Sequence, residues 1–328
     1  MAWDTGAPNT SLLTTYLIKK FIPALEAELT LSKFTTKAII PPGSGKIGRF
    51  NVFNNPPGTT TALSDGADFF SHPNTLNQIT TLTTTGTDVT IAEYGEYIKV
   101  SSLMELTQVS TARSELVQRM TYGGALSIDR LVSAQMDATT VSYFAGDLAL
   151  DSVTPVNLGL HSLMETKAAK LQAISFSGGL TAAKGFTGVS GHRDGNFAAF
   201  ITPTAEADMT TEGTTSHITW QNAVVNVPGM GGQERWVKGA VGECYGMTVY
   251  TSQVIDEITD VTITASVQAN FVMGEGAVGA VGFNDMDPRI IVNDINSPYK
   301  NSKSIAWKAY FGTGLIDANR VVKLYSVT

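Results

Sequence analysis

The chain is poor in the residues that usually carry chemistry. It has one cysteine, Cys244, in 328 residues. No intrachain disulfide can form, which fits a reducing compartment or a shell assembled inside a cell. Cys244 lies in "GECYG" without a nearby histidine, so it reads as a structural thiol and not a nucleophile. Only 4 histidines are present (His72, His161, His192 and His217), and none of them stands at paired metal-ligand spacing. Charged residues make up 16% of the chain, the net charge is -7 and the isoelectric point is near 5.1. No cluster of Lys and Arg is available to displace counterions from phosphates, so tight nucleic-acid gripping is a poor fit, whereas enclosing nucleic acid is not. No apolar run is long enough to span a bilayer, and the start "MAWDTGAPNTSLLTTYLIKKF" lacks a basic stretch followed by an apolar core.

What is present favours strands. Hydrophobic residues reach 43%, glycine is plentiful at 31, and threonine is abundant, a balance that suits extended surfaces over solvated helices. Residues 1–10 read as an extended arm. Leu13, Tyr16, Leu17, Phe21, Leu25 and Leu29 then recur at helical spacing, with Pro23 placed to kink or divide that helix. "KIGRFNVF" alternates, with Phe50 and Val52 on one face and Arg49 and Asn51 on the other. "TDVTIAEYGEYIKVSSL" alternates again after a long run of breakers. Together they predict a long antiparallel hairpin whose tip has too little apolar content to bury itself, so it is either floppy or lies on another molecule. Over 112–140 Leu116, Met120, Ile128, Leu131 and Val132 line the longest helical stripe, interrupted by Gly123 and Gly124. Two glycines inside a helix cost about 1 kcal/mol each, and mark a packing contact or a bend. Leu160, Leu163, Met164, Ala168 and Leu171 predict a further helix. From about residue 196 strands dominate, and the class is α+β.

Two glycine motifs invite a nucleotide-binding reading. "IPPGSGKIGRF" contains Gly45-Lys46, but Ile40 stands where a phosphate-binding loop needs its first glycine and Ile47 where it needs Ser or Thr. An alternating strand follows Lys46, and no helix N-terminus is predicted there to meet a phosphate. "FVMGEGAVGAVG" carries Gly274, Gly276 and Gly279 in dinucleotide-binding order, with Asp294 downstream. The crossover from Ala277 to Asp287 is short and holds Gly279 and Gly282, so it reads as a glycine-rich strand, turn and short helix. Asp285 and Asp287 in "DMD" read as an exposed acidic turn. Glu93 and Glu96 could serve as paired carboxylates only if a bulge at Gly95 turned them to one face. With Tyr94 and Tyr97 they read better as an interface. No catalytic residue, cofactor or metal is implied.

The ordered set "SGKIGRFNVF", "LSDG", "TIAEYGEYIKVSSL", "SIDRLVSAQM", "FITPTAEADM", "GAVGECYGMTVYTS" and "IAWKAYFGTGLI" covers nearly the whole chain. It resembles the tailed-phage major capsid proteins typified by the coat protein of phage N-four. The resemblance implies the Hong Kong 97-type capsid fold. Residues 1–36 would form an N-terminal arm, 37–102 an extended E-loop lying over a neighbour, 103–155 and 284–328 a P-domain with a spine helix at about 112–140, and 156–283 an A-domain. The implied function is self-assembly, through hexamers and pentamers, into an icosahedral head enclosing double-stranded DNA without sequence-specific binding. The protein would pass from host cytoplasm to virion and would not be an enzyme. Because the chain starts at the arm, the expected partners are a separate scaffolding protein and a portal, with a decoration protein as a further candidate. Lys37 and Lys46 at the loop base come with no motif for a partner Asn, so no covalent cross-link is expected. The candidate intersubunit contacts are Tyr16, Phe21, Lys46, Arg49, Phe50, Val52, Asp65, Tyr94 and Tyr97, and Gly123 and Gly124 are the candidate bend. Competing readings are an encapsulin-like compartment on the same fold, or a nucleotide-binding enzyme using Gly45-Lys46 or Gly274, Gly276 and Gly279.

Overall fold

The computed structural model describes residues 21, 24–25, 28–41, 43–53, 84–101, 112–145, 197–211, 240–244, 247–255, 257–258, 267–283, 288–294 and 302–327. Tyr16, Asp65, the four histidines, Asp285, Asp287 and the expected helix around 160–171 lie outside these residues. In chain order the strands are β1 Thr36–Ile40, β2 Ile47–Phe53, β3 Thr84–Thr90, β4 Ala92–Ser101, β5 Ser142–Phe144, β6 Phe197–Ile201 and β7 Ala240–Cys244. They continue with β8 Met247–Thr251, β9 Glu257–Ile258, β10 Val267–Met273, β11 Val278–Phe283, β12 Arg289–Asp294, β13 Ser302–Leu315 and β14 Val321–Val327. Among the described residues the helices with both ends placed are α1 Ala112–Asp137 and α2 Pro203–Thr211, with short 3-10 turns at Leu31–Phe34 and Ala318–Arg320; Phe21, Ala24, Leu25 and Glu28 are also helical, as the upstream spacing predicts. Strands thus dominate, as the composition predicts, and the class is α+β.

The smaller main sheet is organised by β13. Along one edge it pairs antiparallel with β4 from Ser302 to Phe311. Along the other it pairs first with β12 and then with β11, and β1 closes the sheet by pairing parallel with β11. Alternation in "SIAWKAYFG" decides what each face holds. Ile305, Trp307 and Ala309 form a core with Val117, Met120, Ala125 and Ile128 of α1 and with Phe21 and Leu25 upstream. The helix runs unbroken through Gly123 and Gly124. Gly124 meets the Trp307 indole, and a methyl group there would stand 3.5 Å from the ring. The packing contact therefore has a physical partner.

The larger sheet is centred on β10, which is buried along its whole length. The order β5-β14-β10-β6-β8-β7 surrounds it with β9 paired at its start. Both faces of β10 are covered, and its two polar residues are satisfied there: Gln268 accepts from the Thr202 and Thr204 hydroxyls, and Asn270 accepts the Thr202 amide and donates to Ser326. Val267, Ala269, Phe271 and Met273 join Val132 and Met136 from the end of α1. Val272 joins Ala205 and Met209 of α2. Thr202 caps α2 by accepting the Ala205 amide at 3.2 Å, and Pro203 occupies the first helical position, where its missing N–H is no loss.

The dinucleotide-like motif is one of the connections between the two sheets. After β10 the chain turns at Gly274 to Ala277, with Gly276 at φ 73, and enters β11. The strand β11 replaces the expected short helix: Val278 and Val281, three apart and so on opposite faces, are both fully buried, one in the core of the larger sheet and one in the core under the ribbon. No helix N-terminus exists there for a pyrophosphate. The turn is filled instead by Arg320, which donates to the Glu275 carbonyl at 2.9 Å and pairs with Asp317 at 3.0 Å.

Candidate assembly surface

The predicted hairpin divides. Ile47–Phe53 pairs antiparallel with Thr84–Thr90 in full register, giving the two-stranded ribbon. Past Ile91, however, the second strand leaves the ribbon and joins β13 as β4. Its expected single run is therefore shared between a ribbon and a sheet. At the root Gly43 and Gly45 adopt φ 90 and 93, a left-handed geometry that suits glycine. The Ile91 amide closes the root by donating to the Lys46 carbonyl at 2.8 Å. Lys46 itself is exposed at the head of β2, so the phosphate-loop reading fails on geometry as well as spacing.

The ribbon is seated on the face of the smaller sheet opposite α1. A methyl group on Gly279 would stand 2.6 Å from the Phe50 ring, one on Gly312 2.5 Å from the Thr90 carbonyl oxygen, and one on Gly314 2.5 Å from Val89. Each is closer than a real side chain tolerates, so glycine is required for the ribbon to approach. Ile40, Val89, Ile91 and Val281 form a small core around this seat, with Phe50, Phe283 and Tyr310 packed against it. Gly312 and Gly314 escape notice in the sequence reading. Their two-residue spacing within a strand is the signal for close backbone approach.

Beyond the ribbon the same face continues as cross-strand rungs. One rung sets Ile291, Ala306 and Tyr97 side by side, and the next sets Arg289, Lys308 and Gly95. Tyr97 is 71% exposed. Lys308 lies 2.5 Å from Glu93 and 4.9 Å from the Tyr310 ring centre. The hydrogen bond to Glu93, followed by that to Tyr310, raises the Lys308 pKa above its ordinary value.

The candidate contacts fall into three groups. Tyr97, Lys46 and Arg49 are exposed, although Arg49 is engaged at 3.7 Å by Asp88 within its own ribbon. Phe50, Val52 and Tyr94 are half-buried; Phe50 faces Gly279 and Tyr94 packs on the α1 core. Phe21 is fully buried in that core. It is corrected from an intersubunit contact to an internal one, since it has no surface left to offer. Glu93 and Glu96 do not converge. The register at Gly95 is continuous, Glu93 meets Lys308, and Glu96 lies on the α1 side, 3.3 Å from where a Gly123 methyl would stand. Further exposed apolar side chains, missed in the sequence reading, are Ile39, Ile47 and Tyr122.

No family model matches the sequence, and no curated protein resembles it. The fold is matched by chains from phage capsids. A chain of the capsid of Ralstonia phage GP4 superposes with a TM-score of 0.64 at 11% identity, covering 90% of this chain and 87% of the other. A chain of the acidic stable capsid of Helicobacter pylori bacteriophage KHP30 gives 0.63 at 9% identity, covering 92% and 91%. One from the capsid of cyanophage P-SCSP1u gives 0.58 at 14% identity, covering 92% and 88%. The chain therefore has the fold of these phage capsid chains over nearly its whole length.

Proposed function

We propose that this chain is the major capsid protein of a tailed bacteriophage, a non-enzymatic subunit that assembles with its own copies into an icosahedral head around double-stranded DNA. The observation that carries the reading is the whole-length match to phage capsid chains, 90% of this chain against 87% of the Ralstonia phage GP4 chain. The exposed side chains on the ribbon and its sheet support it: Lys46, Arg49 and Tyr97 leave surface that a neighbour can cover. The finer reading is a Hong Kong 97-type subunit of the phage N-four-like group, with arm 1–36, E-loop 37–102, P-domain 103–155 and 284–328, and A-domain 156–283. In that reading Gly123 and Gly124 let the spine helix bend differently in differently placed subunits. Hexamers and pentamers, a scaffolding protein, a portal and a decoration protein are its partners. A net charge of -7 suits a wall that must release its contents. Electron microscopy of the full chain, expressed alone and with its scaffolding partner, tests the reading. Closed shells or hexameric sheets are expected. Monomers under both conditions, or saturable nucleotide binding by calorimetry, would overturn it.

A further inference from the structure

The stripe that β4 turns toward α1 holds one residue of the wrong kind. Tyr94, Ile98 and Val100 belong to the core between that strand and the helix. Glu96 follows the same two-residue spacing and is exposed. Directly opposite it in the register stands Trp307 of β13. Trp307 is 3% exposed, yet its indole Nε1 is buried with no hydrogen-bond partner. Buried indole N–H groups usually find an acceptor, and one left unpaired carries the cost of its lost water. The rung therefore holds an idle donor and, beside it, a carboxylate.

Residues opposed on one face of an antiparallel pair have Cβ atoms about 4.5–5.5 Å apart. The Glu96 side chain spans that distance, so its own torsions can bring an oxygen to the indole. In this structure the carboxylate lies elsewhere: its Oε2 stands 3.3 Å from where a Gly123 methyl would be. The next residue, Gly124, lets the indole approach, with ring atoms 3.5 and 3.6 Å from where its methyl would be. The glycine pair thus leaves the carboxylate two places, one against Gly123 and one at Nε1. Further along α1 the polar ties are already made. The Thr313 hydroxyl donates to the Leu131 carbonyl at 3.3 Å, and buried Asp129 accepts the amides of Thr30 at 2.8 Å and Ser32 at 3.0 Å. At the glycine pair donor and acceptor are present and the bond is not.

We propose that Glu96 is a two-position latch on the seam between β4 and α1. In the open position, the one in this structure, its carboxylate rests against Gly123 and Trp307 is unpaired. In the closed position one oxygen accepts the Trp307 indole N–H, a charge-assisted bond that ties the edge of the sheet under the glycine pair. The latch belongs to the subunit itself and does not depend on the capsid reading. Gly123→Val tests it by filling the open position, so the carboxylate is driven toward the indole. Gly123→Ala crowds the same place more mildly, favours the helix over glycine, and serves if the valine variant does not fold. Ultraviolet resonance Raman difference spectra of the full chain read the outcome, because hydrogen bonding at the indole N–H shifts a ring band. The chain has 4 tryptophans, and the other three cancel between chains that differ only at residue 123. A shift toward the hydrogen-bonded indole is expected on Gly123→Val, smaller on Gly123→Ala. Neither substitution should produce it in a Glu96→Ala background. An unshifted band in the residue 123 variants would overturn the latch. So would an equal shift with and without Glu96, which would leave the residue as an inward-pointing charge that guards an edge strand.

Discussion

On the α1 side of the smaller sheet, β13 presents Ile305, Trp307 and Ala309 to a core of large side chains. On the ribbon side the same strand presents Gly312 and Gly314, and β11 adds Gly279. The first face is held by side-chain volume, which neighbouring residues can partly readjust around. The second depends on close approach over missing side chains, to the Phe50 ring, the Thr90 carbonyl oxygen and Val89. The ribbon is therefore held by contacts within the chain. Past the seat the face is open, and Tyr97 stands on it.

Trp307→Ala should break the α1 side and give the largest effect. Removing a nearly fully buried indole costs about 3–5 kcal/mol. Denaturant unfolding followed by far-ultraviolet circular dichroism measures it, and a loss under about 1 kcal/mol would mean that the helix does not depend on this contact. Gly279→Val should break the ribbon side at smaller cost. Forcing a branched side chain under the Phe50 ring costs about 1–3 kcal/mol. A double-mutant cycle sharpens the point: adding Phe50→Ala should restore much of the loss, because the ring is what excludes the side chain. No restoration would place the conflict elsewhere in the seat, at Ile316, whose Cδ1 would stand 2.9 Å from the new Cβ.

The elements carried by periodicity were legible from sequence. The stripe Met120, Ile128, Val132 predicts α1, and the alternation around Phe50 predicts β2. The seat was not legible, because it is built from residues that carry no side-chain pattern. Gly279 was visible only as part of a nucleotide-like motif, and its reason, the Phe50 ring, lies far back along the chain on another strand. Asp129 was hidden for a related reason. Only the tertiary fold brings the amides of Thr30 and Ser32 to its carboxylate. The expected short helix after Gly276 failed because β11 pairs with β1 and β13, and sheet pairing overrides local preference.

Tyr97→Ser tests the open part of the face and should have the smallest effect on the subunit. The ring is 71% exposed, and its rung neighbours Ala306 and Ile291 remain paired in the sheet without it. A surface change of this kind shifts stability by about 0.5 kcal/mol or less. Under the proposed function the same change should reduce the yield of shells, because an exposed aromatic on a flat sheet contributes most when a partner desolvates it. Unfolding and assembly measured on one preparation separate the two roles. Loss of stability without loss of assembly would make Tyr97 a support of its own sheet, and the open rung would then be surface like any other.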